Sequence, residues 1–86
     1  MKVILEPSFI KSSGKLSQNI KKKLVKLVGI LETNPYHPLL HTKKLQGNLS
    51  SFLSFRVTRD WRVIFYFKDP ETIHILDVDN RKDVYR

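Results

Sequence analysis

Hydrophobic and polar positions change their spacing part-way along the chain. Ile20, Leu24, Leu27, Val28 and Leu31 recur at helical intervals, which predicts one buried stripe on an α-helix. Lys21, Lys22, Lys23 and Lys26 occupy its remaining faces. Beyond residue 51 the repeat becomes alternating, and Phe52 to Val57, Trp61 to Phe67 and Thr72 to Val78 read as three strands, with Asp69-Pro70 as the second turn. At the start, Lys2-Val3-Ile4-Leu5 reads as a short strand ended by Glu6-Pro7. Pro7 suits the first position of a short helix over 8–13, because the N–H it lacks would be unpaired there. Gly14 is the expected left-handed stop. Ser17 can cap the long helix, and Asn34-Pro35 ends it, since a residue before proline avoids helical backbone angles. Residues 34–51, with Pro35, Pro38, Gly47 and Asn48, read as a connection within one domain spanning 1–86. The order β-α-α-β-β-β predicts an α+β fold: an N-terminal strand, a two-helix hairpin, then a three-stranded antiparallel meander with the helices on one sheet face.

The hairpin through Thr58-Arg59-Asp60 constrains its own register. With Val57 opposite Trp61, Phe55 faces Val63 and Leu53 faces Phe65, so one sheet face is wholly apolar. The other face then pairs Arg56 with Arg62, Ser54 with Ile64 and Phe52 with Tyr66. A two-residue loop would set Val57 against Arg62 and mix the faces, which a half-buried sheet disfavours. The apolar pattern therefore selects the register that opposes two arginines, at a Cβ separation of about 4.5–5.5 Å where like charges repel. An anion between them relieves that repulsion, and the planar guanidinium fork suits phosphate. The other resolutions are two side chains splayed into solvent, or an ion pair with Asp77 or Asp79.

Composition narrows the classes. No apolar run approaches the ~18 residues of a membrane span, and Lys2 is followed by only three apolar residues before Glu6, too few for a signal peptide. The absence of cysteine excludes disulfides, thiolate metal sites and a cysteine nucleophile. No HExxH motif and no glycine-rich phosphate loop is present; neither metal nor cofactor is expected. The net charge is +8, so a cytosolic domain with anionic partners is expected. Residues 1–44 carry nine lysines against two acids, whereas residues 45–86 carry two lysines and five arginines against six acids. Lysine thus charges the first half, and every arginine lies at or beyond Arg56.

Four segments, Lys44-Leu45-Gln46-Gly47, Phe55-Arg56-Val57, Asp60-Trp61-Arg62-Val63-Ile64-Phe65 and Asn80-Arg81-Lys82-Asp83-Val84-Tyr85-Arg86, resemble the RelE/ParE superfamily of toxins in order and spacing. The resemblance implies a microbial-RNase-like fold and a toxin of a type II toxin–antitoxin system. For RelE-like members it implies a ribosome-dependent mRNA endonuclease that inhibits translation: the message's own 2′-hydroxyl attacks the adjacent phosphate, without metal. Such chemistry needs clustered cations, because negative charge grows on the equatorial oxygens.

By matching position, Arg62 resembles the arginine that stabilises the transition state, Arg81 the arginine near the leaving group, and Tyr85 the C-terminal tyrosine at the substrate nucleotide. Arg56 occupies a strand position where relatives carry lysine or histidine; it can clamp phosphate but is a poor general base. Ser54 and Asn80 stand where further basic residues are usual, so Tyr85, Lys43 or Lys44 is left as proton acceptor. Lys21, Lys22, Lys23, Lys43, Lys44 and Arg59 are expected contacts to messenger or ribosomal RNA backbone. Asp60 reads as a turn residue, although a histidine-dependent branch uses an aspartate there. His37 and His41 read as polar loop residues, and His74 as a sheet histidine that can face the arginine side. The implied protein partner is a cognate antitoxin, acidic and amphipathic. Two other activities stay open: a ParE-like, non-enzymatic inhibitor of DNA gyrase, and a degenerate toxin acting only as a binding module.

Overall fold

The computed structural model describes residues 1–47 and 51–80. Strand β1 (Lys2–Leu5) leads into helix α1 (Pro7–Ser13) and helix α2 (Gln18–Thr33). A 3₁₀ turn at Pro38–Leu40 follows, then β2 (Lys43–Lys44), β3 (Leu53–Arg56), β4 (Trp61–Asp69) and β5 (Thr72–Asn80). The sheet order is β1-β5-β4-β3-β2. The antiparallel meander is present as predicted, and two additions make the sheet five-stranded. The loop read over 34–51 contributes the short edge strand β2, antiparallel to β3. At the other edge, β1 runs parallel to β5.

Local chemistry sets the helix ends. Pro7 opens α1, and the backbone carbonyl of Glu6 accepts from Phe9 and Ile10. Gly14 departs from expectation: its φ of −62° is right-handed helical, and its N–H donates to Ile10 in an ordinary last turn. The reversal comes instead from tight turns in which Lys15 and Leu16 donate to Ser12 and Ser13, so no left-handed residue is required. Ser17 caps α2, its hydroxyl accepting from the Ile20 N–H at 3.4 Å. Asn34 ends that helix before Pro35, as read from the sequence, and its side chain then accepts from the Tyr36 N–H at 3.0 Å.

The core lies between the helices and one sheet face. Leu24, Leu27 and Leu31 of α2 and Phe9 of α1 pack with Phe55, Val63, Phe65, Ile73, Ile75 and Val78. Leu40 closes one end, fully buried, which makes the 34–47 connection part of the core rather than a linker. Each such side chain contributes about 1.5–3 kcal/mol by leaving water. Trp61 packs against this cluster as its parity predicts.

The β3–β4 register is the one the apolar pattern selects: Leu53 opposite Phe65, Ser54 opposite Ile64, Phe55 opposite Val63 and Arg56 opposite Arg62. In the turn, the Thr58 hydroxyl accepts from the N–H groups of Asp60 and Trp61, which places Asp60 in the turn role expected of it. The β4–β5 ladder contains a bulge. Ile64 pairs with Asp77 while Phe65 pairs with Ile75, leaving Leu76 as the extra residue. The freed Leu76 carbonyl accepts from the Ser8 hydroxyl of α1. Without this bulge, simple alternation from Ile73 and Ile75 would drive Asp77 and Asp79 into the core. With it, Val78 faces Val63 inside and both carboxylates join the opposite face.

Candidate functional site

The sheet face away from the helices carries three rows of side chains. One row runs Lys43, Ser54, Ile64, Asp77; the next runs Arg56, Arg62, Asp79. On the other side of the Ile64 row lie Phe52, Tyr66, His74 and Ile4, joined by ring contacts and by register. Ser54 and Ile64 are buried, so the middle row is recessed between the flanking side chains.

Arg62 sits at the centre of the charged row, with Arg56 across one ladder and Asp79 across the other. Both arginines are half-buried. The possibility that an acid neutralises Arg62 is met only in part: Asp79 is its cross-strand neighbour, yet no ion pair within 4 Å joins them among the described residues. The Arg62 Nε atom is buried without a hydrogen-bond partner among the described residues. A buried, unpaired donor is costly to fold, and it is supplied here by a guanidinium whose fork suits an oxyanion. Burial holds the Asp79 carboxyl above the ordinary carboxylate range; Asp77 pushes it the same way and Arg62 opposes both.

The expected site residues fall into three groups. Arg56, Arg62 and Lys43 share this face. Lys44 pairs with Leu53 and has the opposite parity, and Arg59 is exposed at the hairpin tip. Lys21, Lys22 and Lys23 belong to α2, on the helical side of the sheet, with Lys22 and Lys23 exposed. Arg81 and Tyr85 lie outside the described residues. His37 is structural, its Nδ1 accepting from the Leu39 N–H at 3.1 Å, and His41 is an exposed residue with φ of 50°.

His74 is the residue whose surroundings the sequence conceals. Its alternation with Ile73 and Ile75 places it on the arginine face, as expected. Its Nδ1 lies 2.6 Å from Glu6 Oε1 across 68 residues of sequence, and its ring lies against Tyr66, centroids 5.2 Å apart and planes tilted by 30°. Nε2 is buried without a partner among the described residues. Only the parallel β1–β5 pairing brings Glu6 to this point, and no short-range pattern announces it.

No protein-family model matches the sequence, and no curated relative matches it. Solved structures do. The toxin–antitoxin complex RelBE2 from Mycobacterium tuberculosis contains a chain 26% identical, with a TM-score of 0.76 over 93% of this chain and 96% of that one. The archaeal RelE–RelB complex from Pyrococcus horikoshii gives 25% identity and a TM-score of 0.76 over 93% of each chain. YafQ from E. coli gives 17% identity and a TM-score of 0.79 over 99% of this chain and 98% of that one. The protein thus has the RelE/ParE-superfamily toxin fold along nearly its whole length.

Proposed function

We propose that this protein is the toxin of a type II toxin–antitoxin pair and cleaves messenger RNA on the ribosome. The observation that carries the reading is the cross-strand pair Arg56–Arg62, in which the buried Nε of Arg62 has no partner among the described residues. In this reaction the 2′-oxygen attacks the adjacent phosphorus, the bond from phosphorus to the 5′-oxygen breaks, and a cyclic phosphate and a 5′-hydroxyl result. Arg62 supplies the fixed charge on the equatorial oxygens of the phosphorane, and Arg56 clamps the same phosphate from β3. Preordered donors of this kind act mainly on the transition state. Arg81 and Tyr85, assigned by matching position, complete the set at the leaving group and the nucleotide. Neither arginine can accept a proton at neutral pH, so the 2′-hydroxyl proton passes to Tyr85 as phenolate or to a lysine as the neutral amine. Lys43, on the same face as Arg56, is better placed for this than Lys44. The departing 5′-oxygen takes its proton from the cation beside it, Arg81 by matching position.

An antitoxin is the expected protein partner, in keeping with the RelBE2 and RelE–RelB complexes that share the fold. Charge complementarity calls for an acidic segment against a chain of net charge +8.

Induced expression with and without the arginines tests the reading. Expression of the parent should arrest growth, and primer extension on a translated message should show new 5′ ends at codon boundaries. Arg62→Ala should lower cleavage by about 10²–10³-fold and relieve the arrest. Arrest that persists in Arg56→Ala/Arg62→Ala with intact message would eliminate the nuclease and favour the gyrase-directed toxin.

A further inference from the structure

The arginine-bearing face holds a feature that the phosphate chemistry leaves unused. Phe52, Tyr66 and His74 form an aromatic row across three successive chain segments. Phe52 meets Tyr66 edge-on, with centroids 5.8 Å apart and planes at 88°. His74 lies against Tyr66 at 5.2 Å and 30°. Glu6 fixes the His74 ring in turn. Tyr66 is thus held from two sides, yet it stays partly exposed while Ile64, two residues away on the same face, is buried. Along β4, Tyr66 lies four residues from Arg62 with the same parity, about 13 Å away at the rise of an extended strand. The sugar and base of a neighbouring nucleotide can bridge that distance.

Cationic groups that track a backbone, beside aromatic rings that receive bases, are the recurrent means of holding single-stranded nucleic acid. A ring already immobilised by its neighbours loses little further freedom on binding. We propose that the Phe52–Tyr66–His74 row is a nucleobase-stacking subsite for single-stranded RNA, taking a base adjacent to the phosphate held by Arg56 and Arg62. The inference rests on the phosphate-binding role assigned to that pair. Tyr66 is the platform, Phe52 borders it on one side, and His74, held by Glu6, braces it from the neighbouring strand β5. Every base offers a π-face, so the subsite adds affinity without choosing a codon.

A labelled oligoribonucleotide with 2′-O-methyl groups resists cleavage and reports binding by anisotropy. Inorganic polyphosphate, used as competitor, reports the phosphate contacts alone. Tyr66→Ala should weaken oligoribonucleotide binding about tenfold and leave polyphosphate competition unchanged, while Tyr66→Phe, which keeps the ring, should bind like the parent. Tyr66→Leu keeps apolar bulk without a π-face; it should weaken binding as alanine does while melting near the parent temperature. Equal losses for both probes in Tyr66→Leu, or full oligoribonucleotide binding in Tyr66→Ala, overturn the subsite. Arg56→Ala/Arg62→Ala should weaken both probes, and unchanged polyphosphate binding there overturns the phosphate site itself.

Discussion

Asp79 shows how one residue couples stability to the site. It faces Arg62 across the β4–β5 ladder, and burial together with Asp77 raises its pKa in spite of that cation. A carboxyl whose pKa is raised on folding binds its proton more tightly in the native state. Its ionisation therefore destabilises the fold, progressively as pH rises from the unfolded value toward the folded one and fully above both. Asp79→Asn should accordingly raise the melting temperature at pH 7, and the gain should vanish below the ordinary aspartate pKa of 3.8. Calorimetry of both proteins across pH 3–7 checks the sign. A melting temperature lowered by the substitution at pH 7 would mean that attraction to Arg62 outweighs burial. The same change removes the carboxylate nearest to Arg62 in register and should tighten polyphosphate binding. Retaining Asp79 thus costs stability beside a guanidinium that has no close ion pair among the described residues.

At the level of elements, the amphipathic stripe of α2 makes a quantitative contrast. Leu31 is fully buried, whereas Val25 on the same helix is 72% exposed. Leu31→Ala should cost about 2–5 kcal/mol and Val25→Ser less than about 0.5 kcal/mol, both read from denaturant midpoints. Comparable losses at the two positions would contradict the assigned face. That stripe, the caps Pro7, Ser17 and Asn34, and the β3–β4 register were all legible in the sequence, because each is decided by neighbours within one turn or one hairpin. Three features were not. Lys43–Lys44 has no strand-like composition and is drawn into the sheet by the edge of β3. The bulge at Leu76 follows from the need to keep Asp77 and Asp79 out of the core, which shows only once Val63 is known to face inward. The Glu6–His74 contact depends on a strand pairing between opposite ends of the chain. Of the site, the arginine pair and the Phe52–Tyr66 pair were readable from alternation; the place of His74 beside Tyr66 needed the β4–β5 register.

Across the whole molecule, the +8 charge is distributed over both sides of the sheet. Lys22 and Lys23 are exposed on α2, which packs on the face opposite the arginines. A polyanion the size of a ribosome could contact both sides, whereas a short oligonucleotide engaged at Arg56 and Arg62 would not reach α2. Lys22→Glu/Lys23→Glu should therefore weaken ribosome binding and flatten its salt dependence by roughly one to two in log–log slope. Binding of a short oligoribonucleotide should be unaltered; its loss in that variant would place the lysines at the arginine site instead. The sheet order carries a kinetic consequence as well. β1 is made first, but its partner β5 is about seventy residues downstream (Lys2 aligns with Thr72). Contacts of such sequence separation form late and slow the folding of a domain. During synthesis, Val3, Ile4 and Leu5 must wait unpaired until β5 has emerged, and Glu6 has no histidine to meet. The sheet therefore closes only once β5 has left the ribosome, and until then the nascent segment lacks its completed sheet.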